Sequence, residues 1–262
     1  MDIIVCVKRV PETTEADISV DPQGTGILDS NLPFVINEWD NYAVEEAVRL
    51  VEQLGGSVTV VSIGPEQCDE VLRRCLAMGA DKAIRLTDDA LADSDARATA
   101  RALGQIIKDL PFDLVFTGVQ AADDGQAQVG VMLAGMLAVP HATVVTEIAV
   151  DGDTVRVVRE LEGGLGERLE LKLPAVLTIQ TGINEPRYVS IMGIRKAMKK
   201  ELAVANLSEI NLAGDQVGPA GSLTSVTRMF IPTVEQKAEI LTGSVDESCA
   251  ALADRLKKGG LV

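Results

Sequence analysis

The chain has 262 residues, of which 47% are hydrophobic and 24% are charged, a composition typical of a globular protein with one or two domains. Lysine and arginine number 24 and aspartate and glutamate number 39, so the formal net charge is −15. This acidic balance argues against a general nucleic-acid binder, because binding to phosphates requires clustered positive charge.

The spacing of cysteine and histidine predicts no metal site. The four cysteines (Cys6, Cys68, Cys75 and Cys249) form no Cys-x-x-Cys pair, and the single histidine, His141, has no cysteine near it in the sequence. The amino terminus has no basic segment before its apolar run, and no apolar run approaches the ~18 residues of a membrane span. We therefore expect a cytoplasmic protein without a membrane span.

The first 140 residues alternate between predicted strands and predicted helices. The strands are expected at residues 3–7, 58–63, 83–86 and 114–117. The helices are expected at 40–54, from the Gly64-Pro65 turn to Gly79, at 94–108 and at 129–137. This alternation predicts an α/β fold with a doubly wound, mostly parallel, Rossmann-like sheet. Aromatic residues make up only 3%, so an aliphatic core is expected, which suits that architecture.

The pattern changes after residue 141. Strands are predicted at 143–150, 154–160, 168–173 and 175–180, with hairpin turns at 151–153 and 163–166 between them. From about residue 181 the chain has no clear periodicity, apart from a last helix at 245–258. We predict a nucleotide-binding domain at 1–190 with added hairpin strands. Residues 191–262 are expected to form a partner-docking segment and an extended arm.

Four segments should meet where parallel strands end, which is where ligands bind in open α/β sheets. They are residues 6–9, 37–40, 62–65 and 118–130. The 118–130 loop combines glycines with amide side chains and runs into a helix N-terminus, a place that suits a phosphate. It matches neither a Walker A loop nor Gly-x-Gly-x-x-Gly, and helix capping alone would explain Asp123 and Asp124. The sequence thus predicts a nucleotide pocket without visible reaction machinery.

A second candidate site follows residue 184. Residues 184–194 end in an apolar pair, Ile191 and Met192, and lead into a basic run. The basic run consists of Arg195, Lys196, Lys199 and Lys200. Two interpretations are open: a solvated helix face, or a docking element with an apolar anchor and a cationic flank.

These segments closely resemble the beta subunit of electron transfer flavoprotein. The matching stretches are residues 4–11 (Ile-Val-Cys-Val-Lys-Arg-Val-Pro), Asn37 with 43–47, 62–65, 77–81, 157–178 and 184–188 (Asn-Glu-Pro-Arg-Tyr). The resemblance runs from Met1 to about Glu201 and is much weaker beyond. It implies a non-catalytic electron-carrier subunit that pairs with an alpha subunit holding the redox FAD. The electrons would come from acyl-CoA-type dehydrogenases and pass to a downstream quinone reductase or similar acceptor.

The resemblance also implies binding residues. The nucleotide contacts would be Cys6, Asn37, Glu38, Trp39, Asp40, Ile63, Gly118, Gln120, Ala121, Asp123, Gly125, Gln126, Ala127, Gln128 and Val129. Glu160 would face the alpha subunit. A dehydrogenase-recognition loop would span about 184–200, with Ile191 as its anchor beside the basic run.

The nucleotide implied is AMP, with a second FAD as the alternative found in electron-bifurcating members coupled to NADH. Residues 127–130 (Ala-Gln-Val-Gly) are similar to the bifurcating form, whereas residues 123–126 are not, and the 184–188 run with its basic tail favours AMP. An alternative from another class is a stand-alone ATP-binding domain of universal-stress type. The 118–130 loop contains no Lys or Arg to hold a triphosphate, which counts against it.

Overall fold

The structure, a computed structural model, describes residues 1–14, 16–233 and 238–262. Its strands are β1 Asp2–Cys6, β2 Arg9–Pro11, β3 Phe34–Ile36, β4 Ser57–Ile63, β5 Lys82–Leu86, β6 Leu114–Gly118, β7 His141–Asp151, β8 Thr154–Leu161, β9 Leu165–Lys172, β10 Ala175–Ile179 and β11 Leu202–Ala205. Its α-helices are α1 Glu38–Leu54, α2 Cys68–Met78, α3 Ala96–Ile107, α4 Val129–Leu137, α5 Ile191–Ala197, α6 Gly218–Gly221 and α7 Val245–Lys258.

One nine-stranded sheet organises the chain, in the order β11-β5-β4-β1-β6-β10-β7-β8-β9. The pairs from β11 to β7 are parallel, and β8 and β9 add an antiparallel hairpin at one edge. The central strands β6 and β10 are buried along their whole length, as expected for parallel strands covered on both faces. The predicted doubly wound α/β fold is confirmed.

Helices cover both faces of the sheet. One apolar layer packs side chains of α1 and α2 against β1, β4 and β10, and the other packs α3 and α4 against the opposite face. Within the described ranges, no helix combines the length and the apolar character that crossing a bilayer requires.

The structure differs from the predictions after residue 181. Strand β11 pairs with β5 and extends the sheet, although no regular element was predicted there. The apolar side chains Leu207, Ile210, Leu212 and Val217 are then buried with α3 and α4. A four-residue edge strand is too short to show a period, and its partner strand decides its conformation. The sheet therefore continues past the boundary predicted at residue 190.

The segment 184–188 is fastened to α1 by side-chain contacts. Arg187 pairs through Nε with Glu45 (2.8 Å) and through Nη1 with Glu52 (2.8 Å), and the Glu45 side chain is only 2% exposed. Asn184 donates to the Glu46 carboxylate (2.9 Å) and to the Tyr42 carbonyl (3.1 Å). The segment that carries part of the family resemblance thus acts as a clamp on the first helix.

Replacement of Arg187 should show how much these contacts with α1 stabilise the protein. Burial alone raises the pKa of Glu45, but Arg187 and then Arg49 bring that pKa below its ordinary value of 4.5. We expect Arg187→Met to lower the free energy of unfolding by about 2 kcal/mol at pH 7, because Glu45 then keeps only Arg49 and the backbone N–H of residue 187 (3.1 Å) as partners. The stabilisation exists above pH 4.5 and is lost as pH falls through the lower pKa of the folded state. The difference between parent and variant should therefore shrink in acid, as measured by urea unfolding from pH 7 to pH 3.

The matched control is Arg156→Met on β8. Arg156 pairs with Glu170 (2.9 Å) and Asp151 (3.3 Å), but all three side chains are exposed. We expect this control to leave the free energy of unfolding close to that of the parent, because solvent screens exposed ion pairs. Equal losses in the two variants would contradict the clamp.

Candidate functional site

A cavity of about 670 Å³ lies at the carboxyl edge of the sheet. It is bordered by the residues that follow β1, β4, β5 and β6. The chain places β4 and β5 on one side of β1 and β6 on the other, so the strand order reverses at β1. The cavity thus occupies the switch point where open α/β sheets bind ligands.

Most of the predicted nucleotide contacts meet at this cavity. Those that line it are Cys6, Asn37, Asp40, Ile63, Gly118, Gln120, Ala121, Gln126, Ala127, Gln128 and Val129. Their contact with a ligand stays a prediction, but residues from four separate segments are brought to one place.

The remaining predicted contacts, Glu38, Trp39, Asp123 and Gly125, are not part of the cavity wall. Glu38 is exposed in the first turn of α1, and the Trp39 indole donates to the side chain of Gln180 (3.0 Å). Asp123 pairs with Lys8 (2.7 Å). Gly125 has a φ of +60°, and a Cβ built on it would meet no heavy atom within 4 Å.

Asp40 holds two strand ends together at the base of the cavity. Its Oδ2 accepts the backbone N–H of Lys8 (2.7 Å), after β1, and its Oδ1 accepts the N–H of Gly118 (2.9 Å), the last residue of β6. Burial raises the pKa of Asp40 to about 7, although these donors oppose the rise. A side chain at Gly118 would leave no room for this contact, because its Cβ would lie 2.5 Å from Oδ1.

Asn37 and Lys8 attach the 118–130 loop to the rest of the site. The Asn37 amide donates to the Gln120 carbonyl (2.8 Å) and accepts from the Ala122 N–H (3.0 Å). Lys8 Nζ pairs with both Asp123 and Asp124. Four residues of the loop are thus connected to residues that precede α1.

Helix capping does not explain Asp123 and Asp124. Helix α4 begins at Val129 after Gln128, which makes no side-chain cap. The carboxylates instead hold Lys8, and Asp124 also accepts the Gln126 N–H (3.0 Å). The first backbone bond of α4 joins the Met132 N–H to the Gln128 carbonyl (3.0 Å), so the N–H groups of Val129, Gly130 and Val131 have no intrahelical or side-chain cap partner. Val129 and Gly130 place this turn in the cavity wall.

One wall of the cavity was missed by the sequence analysis. It is the β5–α3 connection with part of α3, and its lining residues are Thr87, Asp88, Asp89, Leu91, Ala92, Asp93, Ser94, Ala96, Thr99 and Leu103. Position alone could have found it, since residue 87 directly follows a parallel strand of the same sheet.

The lining is acidic. Among the described residues of the wall, Lys8 is the one cation, while the acidic residues are Asp40, Asp88, Asp89, Asp93 and Asp124. Burial raises the pKa of the Cys6 thiol, so it lines the cavity as a neutral group. In the part of the chain that the structure describes, no group of three or more His, Cys, Asp or Glu side chains could hold a metal ion.

The second candidate site lies on α5 and is mostly exposed. Ile191 is 71% exposed, and the side chains of Arg195, Lys196 and Lys199 also face solvent. Lys200 differs, because its Nζ donates to the carbonyls of Leu76 (3.1 Å) and Ala80 (2.6 Å) at the end of α2. Lys200 thus has a structural role that the basic run did not reveal. Glu160 is exposed at the end of β8, where it accepts from Gln180 (3.1 Å).

Replacement of Asp40 should change the pH dependence of stability. The pKa of Asp40 in the folded state lies above its ordinary value of 3.8, so Asp40 loses its proton at a higher pH when the protein is folded than when it is unfolded. The contribution of Asp40 to the free energy of unfolding is complete below pH 3.8. It falls as the pH rises to about 7, by at most about 1.4 kcal/mol per pH unit. Asp40→Asn should remove this slope and lower stability by about 1–3 kcal/mol, because the amide NH₂ would face a backbone N–H. Urea unfolding between pH 4 and 7 measures both effects.

The control for Asp40→Asn is Asp113→Asn. Asp113 accepts the N–H of Asp2 (2.8 Å) at the opposite edge of the sheet, so this variant makes the same acceptor change away from the cavity. An Asp40→Asn protein with the parent's slope would contradict the assigned role.

The chain is similar to known proteins along its whole length. The family model described as electron transfer flavoprotein domain matches residues 25–210. The electron transfer flavoprotein subunit beta of Thermoanaerobacterium thermosaccharolyticum is 41% identical over 257 residues, covering 98% of each chain. The protein of that name from Methylophilus methylotrophus is 41% identical over 256 residues, with 96% of each chain covered. The caffeyl-CoA reductase-Etf complex subunit CarD of Acetobacterium woodii is 36% identical over 265 residues, with 100% of each covered. The chain belongs to the electron transfer flavoprotein beta-subunit family.

Proposed function

We propose that this chain is the beta subunit of a heterodimeric electron transfer flavoprotein, with AMP in its cavity and the redox FAD in the alpha subunit. The cavity at the switch point of the sheet carries this proposal. Its volume lies within the range of about 300–1,000 Å³ that is usual for small-molecule sites. Membership of the family supports the alpha-subunit partner and the flavin, and the cavity supports a small-molecule site in this chain.

The first turn of α4 is the proposed phosphate site. Its unpaired N–H groups and the helix dipole favour an anion, and Gly130 lets this turn lie close to the ends of β6 and β10. A Cβ on Gly130 would lie 2.5 Å from Thr117 Oγ1 and 2.6 Å from Thr178 Cγ2. A residue with a side chain at this position would therefore push the helix away from the strands.

The charge of the wall favours a ligand with one phosphate. Lys8 is already paired with two carboxylates, and further aspartates border the cavity. A triphosphate would add several negative charges without a new cation to balance them. This argues against the alternative of a stand-alone ATP-binding domain.

The proposed role is electron carriage without bond-making residues. The chain would hold the nucleotide and shape one side of the flavin environment, while FAD supplies the redox chemistry. We propose that acyl-CoA-type dehydrogenases donate the electrons and that a quinone reductase or similar protein accepts them. Residues 191–262 would provide the surface that contacts the alpha subunit. The proposed location is cytoplasmic.

The nucleotide can be identified directly. Mass spectrometry of small molecules released from the denatured complex should find one AMP and one FAD per heterodimer. Two FAD and no AMP would favour the alternative bifurcating form, whose second flavin would occupy this cavity. ATP, or no nucleotide at all, would contradict the proposal.

Gln128→Glu tests the phosphate site. A carboxylate at the start of α4 favours the helix through its dipole, so we expect the fold to be retained. The same carboxylate should repel a phosphate bound to the first turn, so bound nucleotide should fall severalfold. The control is Gln53→Glu, the same change at an exposed position in α1. Equal nucleotide content in both variants would show that the phosphate lies elsewhere.

Ile191→Ala tests the proposed dehydrogenase anchor. Removal of a buried interface anchor costs about 2 kcal/mol or more, whereas charges at the rim mainly alter the association rate and its salt dependence. We expect slower dehydrogenase-driven flavin reduction in stopped-flow, with the flavin and nucleotide content unchanged. Neutralisation of Lys196 and Lys199 should flatten the dependence of this rate on ionic strength; Lys200 is left intact because it holds α2.

The control for the anchor is Leu54→Ala at the end of α1, where the side chain is 51% exposed. It removes an exposed apolar group outside the proposed docking surface. If Ile191→Ala reduces the flavin as fast as this control, Ile191 is not the anchor.

A further inference from the structure

A chain of side-chain hydrogen bonds connects the cavity region to the exposed end of β8. Trp39 Nε1 donates to Gln180 Oε1 (3.0 Å), and Gln180 Nε2 donates to Glu160 Oε2 (3.1 Å). Gln180 directly follows β10, and its own N–H is fixed on the carbonyl of Val145 in β7 (2.9 Å). Gln180, the middle residue of this series of hydrogen bonds, is therefore held in place by the sheet.

The partners of Gln180 determine the orientation of its amide. An indole N–H can only donate, and the Thr181 N–H also donates to Oε1 (3.0 Å), so the oxygen must face this pair. The NH₂ group must then face the Glu160 carboxylate, which can accept. Only an amide satisfies both ends, since it is an acceptor on one side and a donor on the other.

Each end of this chain of bonds adjoins a different part of the proposed function. Trp39 lies in the first turn of α1 between Asn37 and Asp40, which both line the cavity. Its Cβ is packed so closely on Gly118 that a Cβ there would lie 2.5 Å away. Glu160 is exposed, with one carboxylate oxygen held by Gln180.

We propose that Gln180 is a positioning residue that couples the Trp39 indole, beside the nucleotide cavity, to the Glu160 carboxylate on the surface. A displacement of the first turn of α1 would move the indole, and the amide would pass that movement to the carboxylate. The inference rests on the proposed function for what fills the cavity and for what Glu160 faces, but the coupling itself depends only on these three side chains.

The chain contains one tryptophan, which gives a direct measurement. The full chain labelled with ¹⁵N-tryptophan and assembled with its unlabelled partner subunit should show a single indole ¹H–¹⁵N signal. We expect Glu160→Gln to shift this signal, although the indole does not bond to Glu160. In a Gln180→Met background the indole should exchange its proton roughly 3- to 10-fold faster, as for the loss of one hydrogen bond. Glu160→Gln should then shift the signal no further.

Two control variants match the chemistry of these changes. Gln105→Met removes the side-chain hydrogen bond from Gln105, on α3, to the Ile210 carbonyl (2.8 Å), a bond that does not involve Trp39 or Glu160. Glu170→Gln removes one exposed carboxylate from the same hairpin. Neither should alter the indole signal or its exchange rate.

The outcomes decide the proposal. If Glu160→Gln shifts the indole equally with and without Gln180, the effect is direct electrostatics and the coupling is wrong. If Gln180→Met fails to fold, Gln180→Glu takes its place. This variant keeps an acceptor for Trp39 but removes the donor for Glu160, so the indole hydrogen bond should persist while the effect of Glu160→Gln disappears.

Nucleotide released from the same samples is measured separately. Coupling without any nucleotide would contradict the proposed function and leave the role of Gln180 intact.

Discussion

The site depends on one buried carboxylate. Asp40 accepts N–H groups from Lys8, which follows β1, and from Gly118, the last residue of β6; the order of the sheet reverses at β1. At a switch point the loops on either side diverge, which opens a crevice and also leaves two strand ends without a common connection. The Asp40 side chain supplies that connection from the first turn of α1. The crevice stays open above it, while its base is held by two hydrogen bonds in a buried environment.

The remaining contacts of the site extend this arrangement outward. Asn37 holds the start of the 118–130 loop, and Lys8 holds its middle through Asp123 and Asp124. The loop is thus fixed before it reaches α4, and the first turn of that helix has no side-chain cap. Unpaired N–H groups facing a cavity are costly unless water or a ligand accepts them. An anion in this position would satisfy them without a cationic side chain, which is consistent with the proposed nucleotide site in an acidic protein.

The sequence predicted the parts of this site that depend on local pattern. Alternating apolar strands and amphipathic helices predicted the parallel sheet, and the sheet predicted which segments meet at its carboxyl edge. The roles of single residues were not predictable in this way. Asp123 and Asp124 are suitable helix caps by type, but Lys8, more than a hundred residues earlier, determines what they contact. Lys200 belongs to a basic run, yet the carbonyls at the end of α2 hold its ammonium group. Such roles depend on distant backbone positions that no local period encodes.

Residues 218–224, within the predicted arm, contact the cavity wall that the sequence analysis missed. Asp95 follows the cavity-lining residue Ser94, and its carboxylate accepts the N–H groups of Ala98 (2.9 Å), Leu223 (2.7 Å) and Thr224 (3.0 Å). Burial alone raises the pKa of Asp95, but these donors lower it to about 2, so the carboxylate is charged at any physiological pH. Ser94 also accepts the Gly218 N–H (2.8 Å). One face of the β5–α3 connection therefore lines the cavity, while its other face holds the start of the arm. This part of the predicted arm is therefore packed against the connection that also lines the cavity, and the described residues beyond 222 are almost all exposed.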